Sequence, residues 1–383
     1  MRITIVQGGF LPVPPLLGGA VEKVWFSLGQ EFAKRGHQVT HVSRLYGSLP
    51  PREGLNGVLH LRVKGFDAPR SRPLLWLKDF FYALRVAHML PPADILVTNT
   101  IWLPVLVRDA NRGALYVHIG RYPKRQTRMY RRAKRLHTAS NAVAQAIARQ
   151  DSKSKAKIRV IPYPLPNAEQ PVDVARTWNS RPQQILYVGR IHAEKGVHLL
   201  IDAFDRLVAS GFDGWRLVIV GPWDASQGGG GSAYYRSLRR TGGSQGDRVE
   251  WLGPVFDQSL LIDHYRRSRL FVYPSLAETG ESFGLAPLEA MACGCPALVS
   301  SLECFSEFVK DGQSGFAFDH RSAAPAEALC ARIKEIITAD RELLSVAVRA
   351  HQVARTFALP RVADLYLQDF QSLVNESGRL DAA

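Results

Sequence analysis

Glu281 and Glu289 lie eight positions apart within residues 274–296, PSLAETGESFGLAPLEAMACGCP. Phe283, Gly284 and Leu285 run into Ala286-Pro287-Leu288, which predicts a helix starting near Ala286. Pro287 suits a first helical turn, where its missing N–H costs nothing, and Gly294 is placed to end the helix. A helix start preceded by glycine presents unpaired backbone N–H groups and the positive end of the helix dipole, which together bind phosphate. Two carboxylates flanking a phosphate would repel it unless the ligand also carries hydroxyls. Ionised carboxylates accept hydrogen bonds from hydroxyls, and a buried polar site rejects ligands that leave it unpaired. Sugar, phosphate and sugar in that order describe a nucleotide-diphospho-sugar.

Upstream, Gly189-Arg190-Ile-His-Ala-Glu-Lys195-Gly196 follows an apolar run and precedes a helical pattern. Arg190 and Lys195 flank that turn, and two cations beside free helix amides suit a diphosphate. In the first half of the chain, Gly18 and Gly19 stand before a predicted helix, where backbone without a side chain can approach a ligand. His118 ends the apolar run Ala114-Leu-Tyr-Val-His118 and is followed by Ile119-Gly120. The C-terminal end of a strand in an open α/β sheet is where ligands sit. No D-x-D or clustered histidine appears, so no metal ligands are assigned and no metal is expected to be required. The charge of a leaving diphosphate then falls to Arg190, Lys195 and helix amides. No residue stands out as a nucleophile.

The elements that must position these residues occur twice. Residues 3–6 and 39–43 read as buried strands joined by a helix over 19–35, whose Val21, Val24, Trp25, Leu28 and Phe32 recur at helical spacing. Strand, glycine loop, helix and strand open a doubly wound sheet. The loop is not G-x-G-x-x-G, which counts against a dehydrogenase. Strands are also predicted at 94–99 and 114–118, and Ala139-Ser140-Asn141 caps another helix. Residues 162–182, rich in Pro and Asn, read as a linker. The pattern restarts with strands at 184–188, 215–220, 270–273 and 296–300 and a helix over 197–207. Helices over 324–338, 340–356 and 360–376 close the chain. The expected domains are 1–168 and 169–358, with a terminal helical segment 359–383. Residues 226–232, SQGGGGS, read as a flexible loop near the site, either a lid or a disordered segment. Residues 74–90 predict a helix apolar on most sides, either a core helix or one lying at a membrane face.

With 383 residues, 46% hydrophobic and 22% charged, the composition is that of a soluble globular protein of two domains. The four cysteines lack zinc-site spacing and read as free thiols of a reducing compartment. Neither a signal-peptide core nor a run of about 18 uncharged apolar residues is present, which predicts a cytoplasmic location. The net charge of +15 is uneven, since the first 170 residues hold 27 Lys/Arg against 9 Asp/Glu. Arg121, Lys124, Arg125, Arg128, Arg131, Arg132, Lys134 and Arg135 have no acid among them and predict a helix with one basic face. Such a face docks on an anionic membrane surface, at about 1 kcal/mol per basic residue, or binds an anionic acceptor. No nucleic-acid-binding motif accompanies it, so no nucleic acid is expected.

The stretch PS-x2-E-x2-ES-FG-x4-EAMACG-x-P resembles the E-x7-E motif of the retaining family-4 glycosyltransferases. Val188-Gly-Arg190-x4-Lys195-Gly196 resembles their VGR-x4-KG segment, and Gly18-Gly19-x-x-Glu22 their GG-x-x-E loop. The resemblance implies the α/β GT-B fold, two doubly wound Rossmann-like domains facing a central cleft. By it, the first domain takes the acceptor, the second holds the nucleotide-sugar, and the last helix crosses back onto the first. Glu281 would meet the donor hexose and Glu289 the ribose, with the amides of Phe283, Gly284 and Leu285 on the diphosphate. Arg190 and Lys195 would neutralise that diphosphate, Gly18 and Gly19 close on its β-phosphate, and His118 reach the donor sugar. Residues 249–255 resemble the stretch that lines the nucleobase.

The activity so implied is transfer of a hexose from a UDP- or GDP-sugar to a glycan or lipid-linked glycan, with retention. The acceptor attacks from the face the diphosphate leaves. The setting implied is cell-surface polysaccharide or lipopolysaccharide synthesis, with the protein peripheral on the inner face of the cell membrane. The chain departs from the pattern at Pro222-Trp223, where a second glycine is usual after Gly221. It departs again at Ser301-Leu302-Glu303, which replaces a Gly-Gly and leaves Glu307 as the match to a following Glu. A nucleotide-sugar epimerase on the same fold and a non-catalytic anionic-glycan binder are the rival readings. A glycan phosphorylase would need a cofactor-lysine motif that the sequence lacks.

Overall fold

The computed structural model describes residues 1–69, 71–166, 168–241 and 246–381. The chain divides into two compact units, Met1–Pro166 with Phe357–Ala383, and Asn167–Thr356. Asn167, within the predicted linker, and residues 382–383 of the predicted terminal segment lie outside the described residues.

Unit one is built on strands β1 (Arg2–Val6), β2 (Gln38–Leu45), β3 (Arg52–Leu55), β4 (Val58–Lys64), β5 (Ile95–Thr98), β6 (Ala114–His118), β7 (Arg135–Thr138) and β8 (Ile158–Val160). Their order is β3-β4-β2-β1-β5-β6-β7-β8, parallel except for the β3–β4 pair. Helices α1 (Ala20–Lys34), α2 (Arg72–Met89), α3 (Leu103–Leu106) and α4 (Asn141–Gln150) connect them. Helix α1 buries Val24, Trp25, Leu28 and Phe32 of the stripe its sequence predicts and leaves Val21 half-buried. Strands β5 and β7 are buried at every position, as parallel strands covered on both faces are.

Unit two holds β9 (Gln184–Val188), β10 (Arg216–Val220), β11 (Val249–Gly253), β12 (Leu270–Tyr273), β13 (Ala297–Ser300) and β14 (Phe316–Phe318). All are parallel, in the order β11-β10-β9-β12-β13-β14. Its helices are α5 (Val174–Trp178), α6 (Val197–Ala209), α7 (Gly231–Thr241), α8 (Gln258–Arg267), α9 (Leu285–Ala292), α10 (Pro325–Thr338) and α11 (Asp340–Arg355). Counting its strands from β9, the order is 3-2-1-4-5-6, that of a doubly wound nucleotide-binding sheet. The last helix, α12 (Leu359–Asp381), packs in unit one. Tyr366 of α12 lies edge-on to Trp25 at 5.2 Å, and Arg135 bonds Asp369 at 3.1 Å and Glu376 at 3.0 Å. The two parallel α/β sheets bear out the fold class expected from the sequence.

Four local expectations are corrected. The basic run is not a helix: only Gln126–Met129 makes a 3-10 turn, and Arg125 is left-handed at φ 68°. Gln150 at the end of α4 satisfies the loop instead of an i→i−4 ladder. Its side chain accepts from the Arg125 N–H and donates to the Pro123 carbonyl, while its own carbonyl accepts from Arg128. Arg135 is buried, and the other seven basic residues are exposed. Residues 226–230 form a bonded turn rather than a flexible loop, and Gly231 and Ser232 open α7. Gly230 N–H donates to the Ile191 carbonyl and Gly231 N–H to that of Trp223, each at 2.8 Å. A Cβ at Gly229 would stand 2.2 Å from the Trp223 backbone, so here glycine serves close packing. The linker ends earlier than 182. Helix α5 lies inside it, and buried Trp178 bonds Asp340 at 3.2 Å. Helix α2 is neither all core nor all surface. Asp79, Tyr82, Ala83 and Val86 are buried, whereas Leu74, Trp76, Leu77 and Phe81 are exposed.

Candidate active site

The strand order of unit two reverses between β9 and β12, the point where open α/β sheets bind ligands. The loops leaving these two strands touch. Leu276 N–H donates to the Glu194 carbonyl at 2.8 Å. Gly196, left-handed at φ 68°, lies so close that a Cβ would stand 1.9 Å from the Pro274 carbonyl oxygen. Helices α6 and α9 start from these loops, and the first N–H groups of each have no partner within their own helix. Gly284, at φ 88°, begins α9, and a Cβ there would stand 2.4 Å from the Phe305 ring. Both turns thus require glycine at these positions.

Lys195 Nζ donates to Glu281 Oε2 at 2.5 Å, and the two side chains are 8% and 10% exposed. Ser275 Oγ donates to the same oxygen at 3.1 Å, and the ammonium lies 5.5 Å from the Tyr273 ring centroid. The repulsion expected between Glu281 and a phosphate is thus answered locally, by a cation on the same atom. Lysine carries three N–H donors, of which Glu281 takes one. Arg190 donates to the Gly228 carbonyl at 2.6 Å and to Glu194 at 2.7 Å. Burial pushes the Glu194 carboxyl up, but Arg190 outweighs it and holds the group below its ordinary range. Phe283 is buried against Phe308, ring centroids 5.6 Å apart, so that any contact to a ligand falls to its backbone. Leu285 opens α9 and is half-buried. Glu289 lies one turn into α9, where the buried Tyr265 hydroxyl donates to its Oε2 at 3.1 Å.

In unit one, Gly18 and Gly19 have φ of 76° and 96° and lead into α1. A Cβ at Gly19 would stand 2.2 Å from Glu22 Oε2, so the Glu22 carboxylate folds back over the glycine. Burial raises the pKa of Glu22. His118 ends β6 as its sequence predicts, but its ring is only 2% exposed. Its Nδ1 lies 2.8 Å from His137 Nδ1 and its Nε2 lies 3.0 Å from the Tyr163 hydroxyl. Burial, reinforced by His137, pushes its pKa well below the ordinary value, so the imidazole is neutral. Gln7 and Asn99 follow β1 and β5, where the strand order of this sheet reverses, and bond each other at 2.9 Å.

The structure therefore joins Lys195 to Glu281, puts Arg190 in the same turn and Glu289 on the helix that turn faces, all in unit two. His118, Gly18 and Gly19 belong to unit one. Sequence reasoning missed Glu194, Ser275 and Tyr265. The first two lie inside the quoted motifs, and Tyr265 carries no local signal. Among the described residues no group of three or more His, Cys, Asp or Glu side chains could hold a metal ion. The four cysteines are buried free thiols, with Cys293 and Cys295 pushed up to about 12 by burial.

Two doubly wound units, one with cations and two helix starts where its strand order reverses, are the architecture of the GT-B fold. The profile for "Glycosyl transferases group 1" matches residues 172–351, and that for "Glycosyl transferase 4-like domain" matches residues 19–164. The chain belongs to this family, the family-4 glycosyltransferases. Over 197 residues it is 34% identical to the D-inositol 3-phosphate glycosyltransferase of Geodermatophilus obscurus, covering 50% of this chain and 41% of that protein. Over 201 residues it is 27% identical to the phosphatidyl-myo-inositol mannosyltransferase of Mycobacterium leprae, covering 52% of this chain and 49% of that protein. The chain thus spans about half the length of the curated relatives it matches, or less. Among solved structures, sucrose-phosphate synthase from Thermosynechococcus elongatus superposes with a TM-score of 0.79 at 19% identity, over 98% of this chain and 100% of that one. HepE of Anabaena in complex with UDP and glucose gives a TM-score of 0.71 at 17% identity, over 97% and 100%. These likenesses show the fold.

Proposed function

We propose that the protein transfers a hexose from a UDP- or GDP-sugar to a glycan or lipid-linked glycan, retaining the anomeric configuration. The observation that carries this reading is the Lys195–Glu281 pair, set between the starts of α6 and α9 where the strand order of unit two reverses. Residues 169–358 hold the donor. Arg190, Lys195 and the amides of Phe283, Gly284 and Leu285 meet the diphosphate. Glu281 accepts a hydrogen bond from the hexose, and Glu289, its carboxylate held by Tyr265, accepts from the ribose. As the bond between the sugar carbon and the diphosphate oxygen breaks, negative charge grows on the diphosphate. Each preorganised donor aimed at that charge lowers the barrier by roughly 3–4 kcal/mol. The acceptor oxygen bonds the same face of the sugar, and the departing diphosphate takes its proton. A nucleotide donor is supported by HepE, whose complexes hold UDP with glucose and UDP-glucose.

Residues 1–168, with the terminal helix 359–383, take the acceptor, close on the β-phosphate with Gly18 and Gly19, and offer His118 to the donor sugar. The positive excess of this half suits a phosphorylated or lipid-linked acceptor, and both relatives are named for an inositol phosphate or its lipid. Cell-surface polysaccharide or lipopolysaccharide synthesis is the setting this chemistry fits. Arg190→Ala is expected to lower donor turnover at least about a hundredfold, read by release of nucleoside diphosphate. Product anomers read by NMR test retention. Full turnover in the variant would remove Arg190 from the site, and an inverted product would overturn the stereochemistry.

We also place unit one against an anionic membrane surface on the inner face of the membrane. Arg121, Lys124, Arg125, Arg128, Arg131, Arg132 and Lys134 are exposed in one loop, and α2 exposes Leu74, Trp76, Leu77 and Phe81. Met129 and Tyr130 of that loop pack in the same apolar cluster as Tyr82 and Val86 of α2. Among the described residues no helix is long and apolar enough to cross a membrane. Neutralising Arg128, Arg131 and Arg132 together is expected to weaken binding to anionic vesicles by about 1 kcal/mol per charge, measured by co-sedimentation. Unchanged binding would refute the surface.

A further inference from the structure

Which ring nitrogen of His118 carries the proton is decided by its neighbours. The Ile161 carbonyl oxygen lies 2.9 Å from His137 Nε2. A carbonyl only accepts, so that nitrogen bears the hydrogen. Burial lowers the pKa of His137 to about 4, so the ring is neutral and its Nδ1 is bare. His118 Nδ1, 2.8 Å away, must then donate to it. His118 Nε2 is left bare and accepts from the Tyr163 hydroxyl at 3.0 Å.

We infer that His137, anchored on the Ile161 carbonyl, is a positioning residue that fixes His118 as the Nδ1–H tautomer and keeps its Nε2 an acceptor for hydroxyl groups. The inference rests on the reading of His118 as a contact of the donor sugar. A bare Nε2 accepts from a hydroxyl, here that of Tyr163 and, once that bond is exchanged, that of a sugar, whereas the other tautomer would present an N–H and reverse the bond. The setting is rigid. Trp25 lies edge-on to both imidazoles at 5.7 and 6.2 Å. A Cβ at Gly120 would stand 2.9 Å from His118 Nε2 and 3.2 Å from the Tyr163 hydroxyl, so no side chain at 120 can enter. The Tyr366 hydroxyl of α12 also lies 3.0 Å from His137 Nε2. With the hydrogen already on that nitrogen, Tyr366 shares the bond and does not set the proton order.

The test is imidazole 15N NMR on the full chain with labelled histidine. The wild type is expected to show His118 protonated at Nδ1 and His137 protonated at Nε2; the opposite pattern overturns the inference. His137→Gln offers an amide oxygen to the same N–H and is expected to keep the His118 tautomer and the turnover. His137→Leu removes the acceptor. His118 then populates its other tautomer, and kcat falls at least about tenfold while the KM for nucleotide-sugar stays within about twofold. Tyr366→Phe is expected to leave the tautomer unchanged; a reversal there overturns the proton order. A changed tautomer with unchanged turnover would overturn the positioning role through the His118 reading, while leaving the donor site of unit two intact.

Discussion

Lys195→Ala is expected to destabilise unit two by about 3–5 kcal/mol as well as to abolish sugar transfer. The ammonium and the Glu281 carboxylate are both about nine-tenths buried and share a 2.5 Å hydrogen bond. Removing one partner strands the other charge in a site that has excluded water. Ser275 offers Glu281 one further hydrogen bond, too little to replace the ion. Glu281→Gln is expected to cost stability in the same way from the other side. Loss of activity in either single variant therefore cannot separate chemistry from folding. The double variant Lys195→Met with Glu281→Gln can, because it removes both charges at similar volume. It is expected to recover most of the stability, with a coupling of order 2–3 kcal/mol, and to remain inactive. Urea denaturation and nucleoside diphosphate release measure the two quantities. A Lys195→Ala protein as stable as the wild type would show that the pair is not formed in solution.

Gly196→Ala is expected to be among the most damaging single-methyl additions to unit two. At φ 68° an alanine is strained by about 1–2 kcal/mol wherever it stands. Here its Cβ would also fall 1.9 Å from the Pro274 carbonyl oxygen, a backbone atom that cannot swing away. Relief requires the two loops of the proposed donor site to part, which pulls Lys195 from Glu281. Gly312 is the control, with the same φ of 68° and nothing within 4 Å of its Cβ position. Gly312→Ala should cost only the strain, whereas Gly196→Ala should cost several kcal/mol and remove nucleotide binding. Thermal unfolding and calorimetric titration with UDP and GDP would show the contrast, and equal effects at the two positions would contradict the close approach.

Much of this was legible in the sequence because the signals are local. Gly284 and Gly196 announce helix starts, and apolar runs such as Leu270-Phe-Val-Tyr273 announce buried parallel strands. The spacing of Arg190 and Lys195 along one turn places both cations at one strand end. What the sequence hides is pairing at a distance. Nothing around residue 195 says that its partner is Glu281, 86 positions on, or that Tyr265 holds Glu289. The basic run misled because charge spacing alone cannot show that Pro123 and Gln150 take the loop's hydrogen bonds, or that Arg135 is tied to Asp369 and Glu376 of the last helix. The glycine run misled for the opposite reason. Low complexity suggests freedom, yet Gly229 and Gly230 are small because the Trp223 backbone and the Tyr234 ring leave no room.

A crystal structure of the protein with a bound nucleotide-sugar tests the central claim most directly. The diphosphate is expected within hydrogen-bonding distance of Arg190, Lys195 and the amides at the start of α9, with the hexose on Glu281 and the ribose on Glu289. A nucleotide-sugar bound elsewhere, or one whose phosphates touch neither cation nor that helix start, would contradict it.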